Sequence, residues 1–189
     1  MPPRRRKPRV GEPAARSGKA PDQRSGGWNA AGGGTRRLIR GALLAAVYAA
    51  LTVALAPLSF GALQFRAAEA MAVLPWLYPE AAPGLFVGCL IANLFGGNGV
   101  LDVVFGSLAT LAAALISRRM KSPWLAPLPP VIINALVVGA VLSYALGLPY
   151  WLTATEVGLG QAGACYVLGM PLLFMIRRIE GRGKRENGE

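Results

Sequence analysis

The sequence predicts an all-α integral membrane bundle of six transmembrane helices with both termini in the cytoplasm. Three observations lead there. Of 189 residues, 53% are hydrophobic and the mean hydropathy is +0.42, more apolar side chains than a single soluble core of this size would hide. Charge is segregated. Of 20 Lys and Arg, 11 fall within residues 1–40, three at Arg118, Arg119 and Lys121, and five from Arg177 onward, with Arg66 alone elsewhere. Between these clusters run apolar stretches close to the roughly 20 residues that cross a hydrocarbon core of about 30 Å.

Residues 1–35 are rich in Pro, Gly, Arg and Ser and nearly lack large apolar side chains. Burial cannot offset their chain entropy, so a disordered, basic cytoplasmic tail is expected. The apolar run from Gly41 to Ala56 starts too late for a cleaved signal peptide, and further apolar runs follow it. Six segments, at about 38–56, 62–78, 82–98, 101–117, 129–148 and 155–176, make up a membrane domain of residues 36–178. Residues 179–189 are expected to form a cytoplasmic C-terminal tail. The second segment holds Gln64, Arg66, Glu69 and Pro75, and also reads as a re-entrant loop. Charge asymmetry decides between the readings. Basic clusters belong on the cytoplasmic side. Four spans between the first and second clusters and two between the second and third satisfy that rule, whereas a re-entrant second segment does not. The outward loops are then about 57–62, 97–101 and 148–154, and none carries Lys or Arg.

Several function classes drop out. A net charge of +11 invites a nucleic-acid reading, but basic residues flanking apolar spans set topology and meet anionic headgroups, and no nucleic-acid-binding motif accompanies them. There is no His, hence no imidazole base or metal ligand, and no ligand set for zinc. Cys89 and Cys165 lie within apolar stretches and read as buried small hydrophobes rather than a disulfide. No phosphate-binding G-x-x-x-x-G-K-[ST] loop is present, and no internal repeat of the kind that builds many secondary carriers. No cofactor, metal or catalytic residue is expected.

An ionisable side chain in a membrane costs about 2.5–3.5 kcal/mol on insertion scales, so it is kept for a partner or a function. Arg66, Glu69, Asp102 and Glu156 all lie within about two helical turns of an outward loop, with Gln64, Asn93, Asn98 and Gln161 nearby. This shared depth predicts a pocket open to the outside. Two blander readings compete. Arg66 and Glu69, three residues apart, could neutralise each other, and Asp102 could cap its helix. Glu156 has no cationic neighbour in the sequence, which makes it the leading ligand candidate. Phe60, Phe65, Tyr150 and Trp151 gather at the same level, as an interfacial belt or as rings stacking on a planar ligand.

Small residues recur every four positions: Ala42, Ala46, Ala50 and Ala54 in the first segment, Gly84, Gly88, Ala92 and Gly96 in the third, Gly160 and Ala164 in the sixth. Such ridges let helices approach closely. In the third and sixth segments they point to packing within the bundle. The longer Ala ridge of the first also suits another membrane subunit.

Three stretches carry a family resemblance: Pro57-Leu-Ser-Phe-Gly-Ala-Leu-Gln-Phe-Arg-Ala-Ala-Glu69, Gly84-Leu-Phe-Val-Gly-Cys-Leu-Ile-Ala-Asn-Leu94 and Asp102-Val-Val-Phe-Gly-Ser-Leu-Ala-Thr110. They resemble the queuosine-precursor transporter (QueT) family, substrate-specificity (S) subunits of energy-coupling factor transporters. The likeness runs from about residue 40 to 178 and leaves the N-terminal tail outside. It implies a six-helix S-component that works with a membrane coupling protein and two ATPase subunits. It also implies that Ala42, Ala46 and Ala50 face the coupling protein. The implied ligand is a 7-deazaguanine with an aminomethyl or cyano group, or queuine. Its N–H donors would suit Glu69 or Glu156, and its O6 and N7 acceptors would suit Arg66, Gln64 or Asn93. Asp102, Phe65 and Trp151 complete the candidate set. The alternatives are an S-component for a different vitamin, a stand-alone carrier driven by an ion gradient, an intramembrane enzyme and a ligand-free assembly subunit.

Overall fold

The computed structural model describes residues 25–60, 65–96 and 99–186, with side chains from 33 to 181. Residues 1–24, most of the expected disordered tail, lie outside that set, as do Gln64 and Asn98. The first helix already begins at Ser25, ahead of the boundary expected at 35.

Among the described residues every regular element is helical. Helix α1 runs Ser25–Ala54 and is followed by the single turn α2, Ala56–Ser59. Phe65 and Arg66 then precede a 3-10 helix, Ala67–Trp76, whose N-cap Arg66 is extended, with φ −91° and ψ 99°. Helix α3 covers Ala81–Gly96. A π-helical turn, Asp102–Gly106, leads into α4, Ser107–Ser117. Helix α5 is Leu128–Leu146. Helix α6, Tyr150–Ala162, continues through a π segment, Gly163–Gly169, into α7, Met170–Glu186.

Three of these stretches are long and apolar enough to cross a bilayer: Gly33–Ala54, Pro123–Leu146 and Tyr150–Gly181. Ala81–Gly96 and Asp102–Ser117 are apolar but shorter. The second expected segment differs most from expectation. At a rise of about 2.0 Å per residue, ten 3-10 residues cover about 20 Å, less than a hydrocarbon core. Instead of facing lipid, the segment is the axle of the fold. It touches α1, α3, α4, the π segment and α7, and Ala68 to Pro75 are all buried. The main core forms on it: Met71, Val73 and Leu74 meet Tyr48 of α1, Leu85 and Cys89 of α3, and Leu173 of α7.

Glycines decide how closely the helices pack. A Cβ on Gly84 would lie 2.5 Å from the Gly41 carbonyl oxygen, and one on Gly88 2.7 Å from that of Ala45. The small ridge of the third segment therefore serves contact with α1. A Cβ on Gly169 would lie 2.7 Å from the Ala70 oxygen, which brings the last long helix against the 3-10 segment. Helices α5 and α6 form an antiparallel hairpin. Gly147, at φ +66°, closes α5, and Pro149 stands just ahead of α6. The left-handed conformation costs a side chain 1–2 kcal/mol and a glycine little. The Thr153 hydroxyl donates to the Gly139 carbonyl across the hairpin at 2.8 Å. Its apolar core is slight: Val138, Leu142 and Val157.

Among the described residues, members of the three basic clusters meet at one end of the bundle, around residues 76–80. Arg40 pairs with Glu80 at 3.6 Å and lies over the Tyr78 ring. The Trp76 indole donates to the Met120 carbonyl at 2.9 Å, beside the Arg118–Lys121 loop. Arg177 covers Trp76, and the Tyr78 hydroxyl donates to Glu180. A common end is what the charge asymmetry requires.

Candidate substrate site

Away from that basic end, the 3-10 segment begins with the most costly residues of the chain. Glu69 and Trp76 are about 14 Å apart along a 3-10 axis. Arg66 is 7% exposed, Glu69 2% and Asp102 not at all. Such groups are tolerated in a low-dielectric interior only when paired or hydrogen-bonded.

Arg66 finds its ion-pair partner in Asp102, its Nη2 lying 3.1 Å from the Asp102 Oδ2. Its guanidinium also rests over the Phe60 ring, 5.1 Å from the centroid. Asp102 is delivered by a turn at Gly99, whose φ of +91° favours glycine. The Asn93 amide holds the Asp102 carbonyl at 3.0 Å. Gly106 makes room for both, since a Cβ there would lie 2.7 Å from the Asp102 Oδ1. The partner three residues away, Glu69, is engaged otherwise. One carboxylate oxygen accepts from the Tyr48 hydroxyl at 2.5 Å, the other from the Gln161 amide at 2.8 Å. The Cys165 thiol donates to the Glu69 carbonyl at 3.3 Å. Both cysteines are free and buried.

These groups border one cavity, walled by Arg66 and Glu69, by Thr110 of α4, by Asn134 and Val138 of α5, and by Val157 and Gln161 of α6. Its volume is about 10 Å³, room for about one water. A nucleobase enters only if a wall moves. Asn134 is 3% exposed, and its Oδ1 has no hydrogen-bond partner. An orphaned buried acceptor costs about 1–3 kcal/mol, a penalty that a donor brought into the cavity would remove.

Arg66 and Glu69 thus share the cavity, with Asp102 behind Arg66 and Asn93 behind Asp102. Phe65 is half-buried and lies next to Gly163, where a Cβ would come 3.4 Å from the ring. Two expected residues are elsewhere. Glu156 is half-buried on α6 and is not among the cavity's lining residues; Trp151 is 77% exposed and pairs with Tyr150. The helical period explains Glu156. Thr153, Val157 and Gln161 share the buried face of α6, and Glu156 sits about 100° around the helix from Val157. Sequence reasoning missed Asn134, Thr110 and Tyr48. Polarity within apolar stretches marked all three, but nothing in the chain told them from ordinary helix-packing residues.

The stripe Ala42, Ala46 and Ala50 is exposed, while Ala45, Tyr48 and Thr52 turn inward. Among the described residues no group of three or more His, Cys, Asp and Glu could hold a metal ion.

Comparison with known proteins supplies one match. The family model described as QueT transporter matches residues 38–178. No curated protein and no solved structure matches the chain.

Proposed function

We propose, since the chain belongs to the QueT transporter family, that it is the substrate-binding subunit of an energy-coupling factor transporter that imports a queuosine precursor. Family membership makes it a membrane transport protein rather than an enzyme. The finer reading is ours. It comprises six crossings, both termini in the cytoplasm, and a 7-deazaguanine carried in the cavity beneath Arg66 and Glu69.

The observation that carries it is the convergence of buried polar groups from the 3-10 segment, α4, α5 and α6 on one cavity. A guanine-like ring needs acceptors for its N–H edge and donors for O6 and N7. Glu69 and the unpartnered Asn134 Oδ1 offer acceptors. Arg66, which uses one nitrogen on Asp102, keeps further donors, and the Gln161 amide is within reach. The cluster also holds two carboxylates against one guanidinium. A cationic aminomethyl substituent would balance that surplus, which favours the aminomethyl-deazaguanine over its cyano counterpart. Admission requires the α5–α6 wall to retreat and the Gln161–Glu69 bond to be exchanged for ligand bonds.

On this reading the exposed Ala42, Ala46 and Ala50 stripe meets the coupling protein, and two ATPase subunits supply the energy. The test is isothermal titration of the purified chain with 7-aminomethyl-7-deazaguanine, 7-cyano-7-deazaguanine and queuine. Micromolar or tighter binding of at least one, abolished in Glu69→Ala, is expected. No binding of any of the three would overturn the assignment. Uptake by vesicles holding this chain alone, without ATPases, would replace it with a stand-alone carrier.

A further inference from the structure

Two donors of unequal standing hold the Glu69 carboxylate. Its Oε1 accepts from the Tyr48 hydroxyl at 2.5 Å, its Oε2 from the Gln161 amide at 2.8 Å. Gln161 lines the polar cavity and Tyr48 does not. Tyr48 reaches the carboxylate from α1, through the main core. Of the chain's five tyrosines it alone is fully buried. It belongs to the same cluster as Met71, Leu85 and Cys89. At its root α3 offers bare backbone, since a Cβ on Gly88 would lie 2.9 Å from the Tyr48 Cβ. Swinging the Tyr48 hydroxyl away would require a close-packed core to rearrange. Gln161 has the cavity beside it and can release Glu69 by a change of rotamer.

From this asymmetry we infer that Tyr48 is a positioning residue for substrate recognition. It fixes the Glu69 carboxylate before a ligand arrives and stays bonded afterwards, while Gln161 keeps the place that the ligand takes. The inference rests on the substrate-binding reading given above and adds to it a residue outside the cavity. A glutamate without a fixed partner has rotamers to lose when it takes a ligand, and that lost entropy lowers affinity. A donor already in place removes the loss. Tyr48 suits the task because it is neutral. A phenol O–H steadies the carboxylate and leaves its charge for the ligand, whereas a Lys or Arg at the same point would cancel it. The arrangement also sets the direction of approach. A ligand N–H or amine meets Glu69 at Oε2, from the Gln161 side, and the bond to α1 need not break.

The test is Tyr48→Phe in the full chain, which keeps the ring and removes the donor. Titration with the three deazaguanines should show affinity lowered about tenfold for whichever binds the wild type, the loss expected for one hydrogen bond. Leu173→Ala removes a buried side chain from the same core but no hydrogen bond. It should lower the thermal midpoint and leave the affinity of the folded protein unchanged. A spectroscopic readout covers the case in which Tyr48→Phe fails to fold. In protein labelled with 13C at the tyrosine Cζ, the Tyr48 resonance is assigned by replacing the other tyrosines with Phe one at a time. It should shift in Glu69→Ala, which removes its acceptor, and hold its place when ligand is added, while the Gln161 side-chain amide resonance moves. Undiminished affinity in Tyr48→Phe, an equal loss in Leu173→Ala, a Tyr48 resonance indifferent to Glu69→Ala, or one that shifts on ligand addition as it does in Glu69→Ala would each overturn the role of Tyr48 alone. A wild type that binds none of the three ligands would instead overturn the substrate reading, and this role with it.

Discussion

The 3-10 segment and the α5–α6 hairpin face each other across one cavity and are built in opposite ways. The first is buried from Ala68 to Pro75 and gripped by elements from both ends of the chain. The second has an apolar core of three residues, and much of its surface is bare, with Ile132, Leu136, Tyr144 and Leu152 all exposed. The hairpin is held to the rest of the bundle through α4 and the Asp102–Gly106 turn, against which α5 packs. In a lipid environment an exposed leucine costs nothing, so the hairpin's outer face needs no cover. The two sides also differ in chemistry: the charges of Arg66 and Glu69 come from the 3-10 side of the cavity, and the amides of Asn134 and Gln161 from the hairpin.

The strongest test of this contrast is charge removal on the 3-10 side. Arg66→Ala removes the ion-pair partner of the buried Asp102, and a loss of about 3–5 kcal/mol of stability is expected, visible as a collapse of the thermal midpoint in detergent. The pair substitution R66M/D102L should recover most of that stability and still bind no deazaguanine. Recovery of binding as well would mean that the pair is structural only.

Next in size is a comparison of cores. Leu85→Ala, fully buried against the 3-10 segment, should cost about 3 kcal/mol, and Val157→Ala in the hairpin about 1 kcal/mol. Equal losses would erase the difference between the regions. On the hairpin side, Asn134→Leu removes an unpartnered acceptor. It should hold or raise stability while weakening ligand affinity about tenfold, the loss of one hydrogen bond. Unchanged affinity would remove Asn134 from the site. The hairpin staple follows. Thr153→Val, which loses the bond to Gly139, should cost about 1 kcal/mol. It should speed amide exchange in α5 and α6 but leave the 3-10 segment unaffected. The smallest effect is expected at Glu156→Gln, where affinity should stay within about twofold because Glu156 does not line the cavity. A larger loss would return it to the binding set.

Some of the site was legible in the chain. Arg66, Glu69 and Asp102 stood out because a charge inside an apolar stretch is too expensive to be incidental, and the structure gathers all three. Their partnerships were not legible. Helical spacing pairs Arg66 with Glu69, but the extended backbone at Arg66 and the 3-10 turns after it break that geometry. The salt bridge forms instead with Asp102, 36 residues on. Glu156 shows the converse. Isolation from cations made it conspicuous, yet its side of α6 does not line the cavity. Neutral polar residues such as Asn134 and Tyr48 carry too small a penalty to stand out from helices that use such groups for packing.

Composition alone was enough for the membrane class, the helical architecture and the grouping of basic residues at one end. Those properties depend on sums over many side chains, such as hydropathy per span and charge per loop, and sums survive ignorance of who touches whom. The tight 3-10 axle, the Arg66–Asp102 pair and the closed cavity are pairwise matters. Each depends on the angle and distance at which remote helices meet, set by glycine contacts such as Gly84 against Gly41. No local pattern along the chain encodes them.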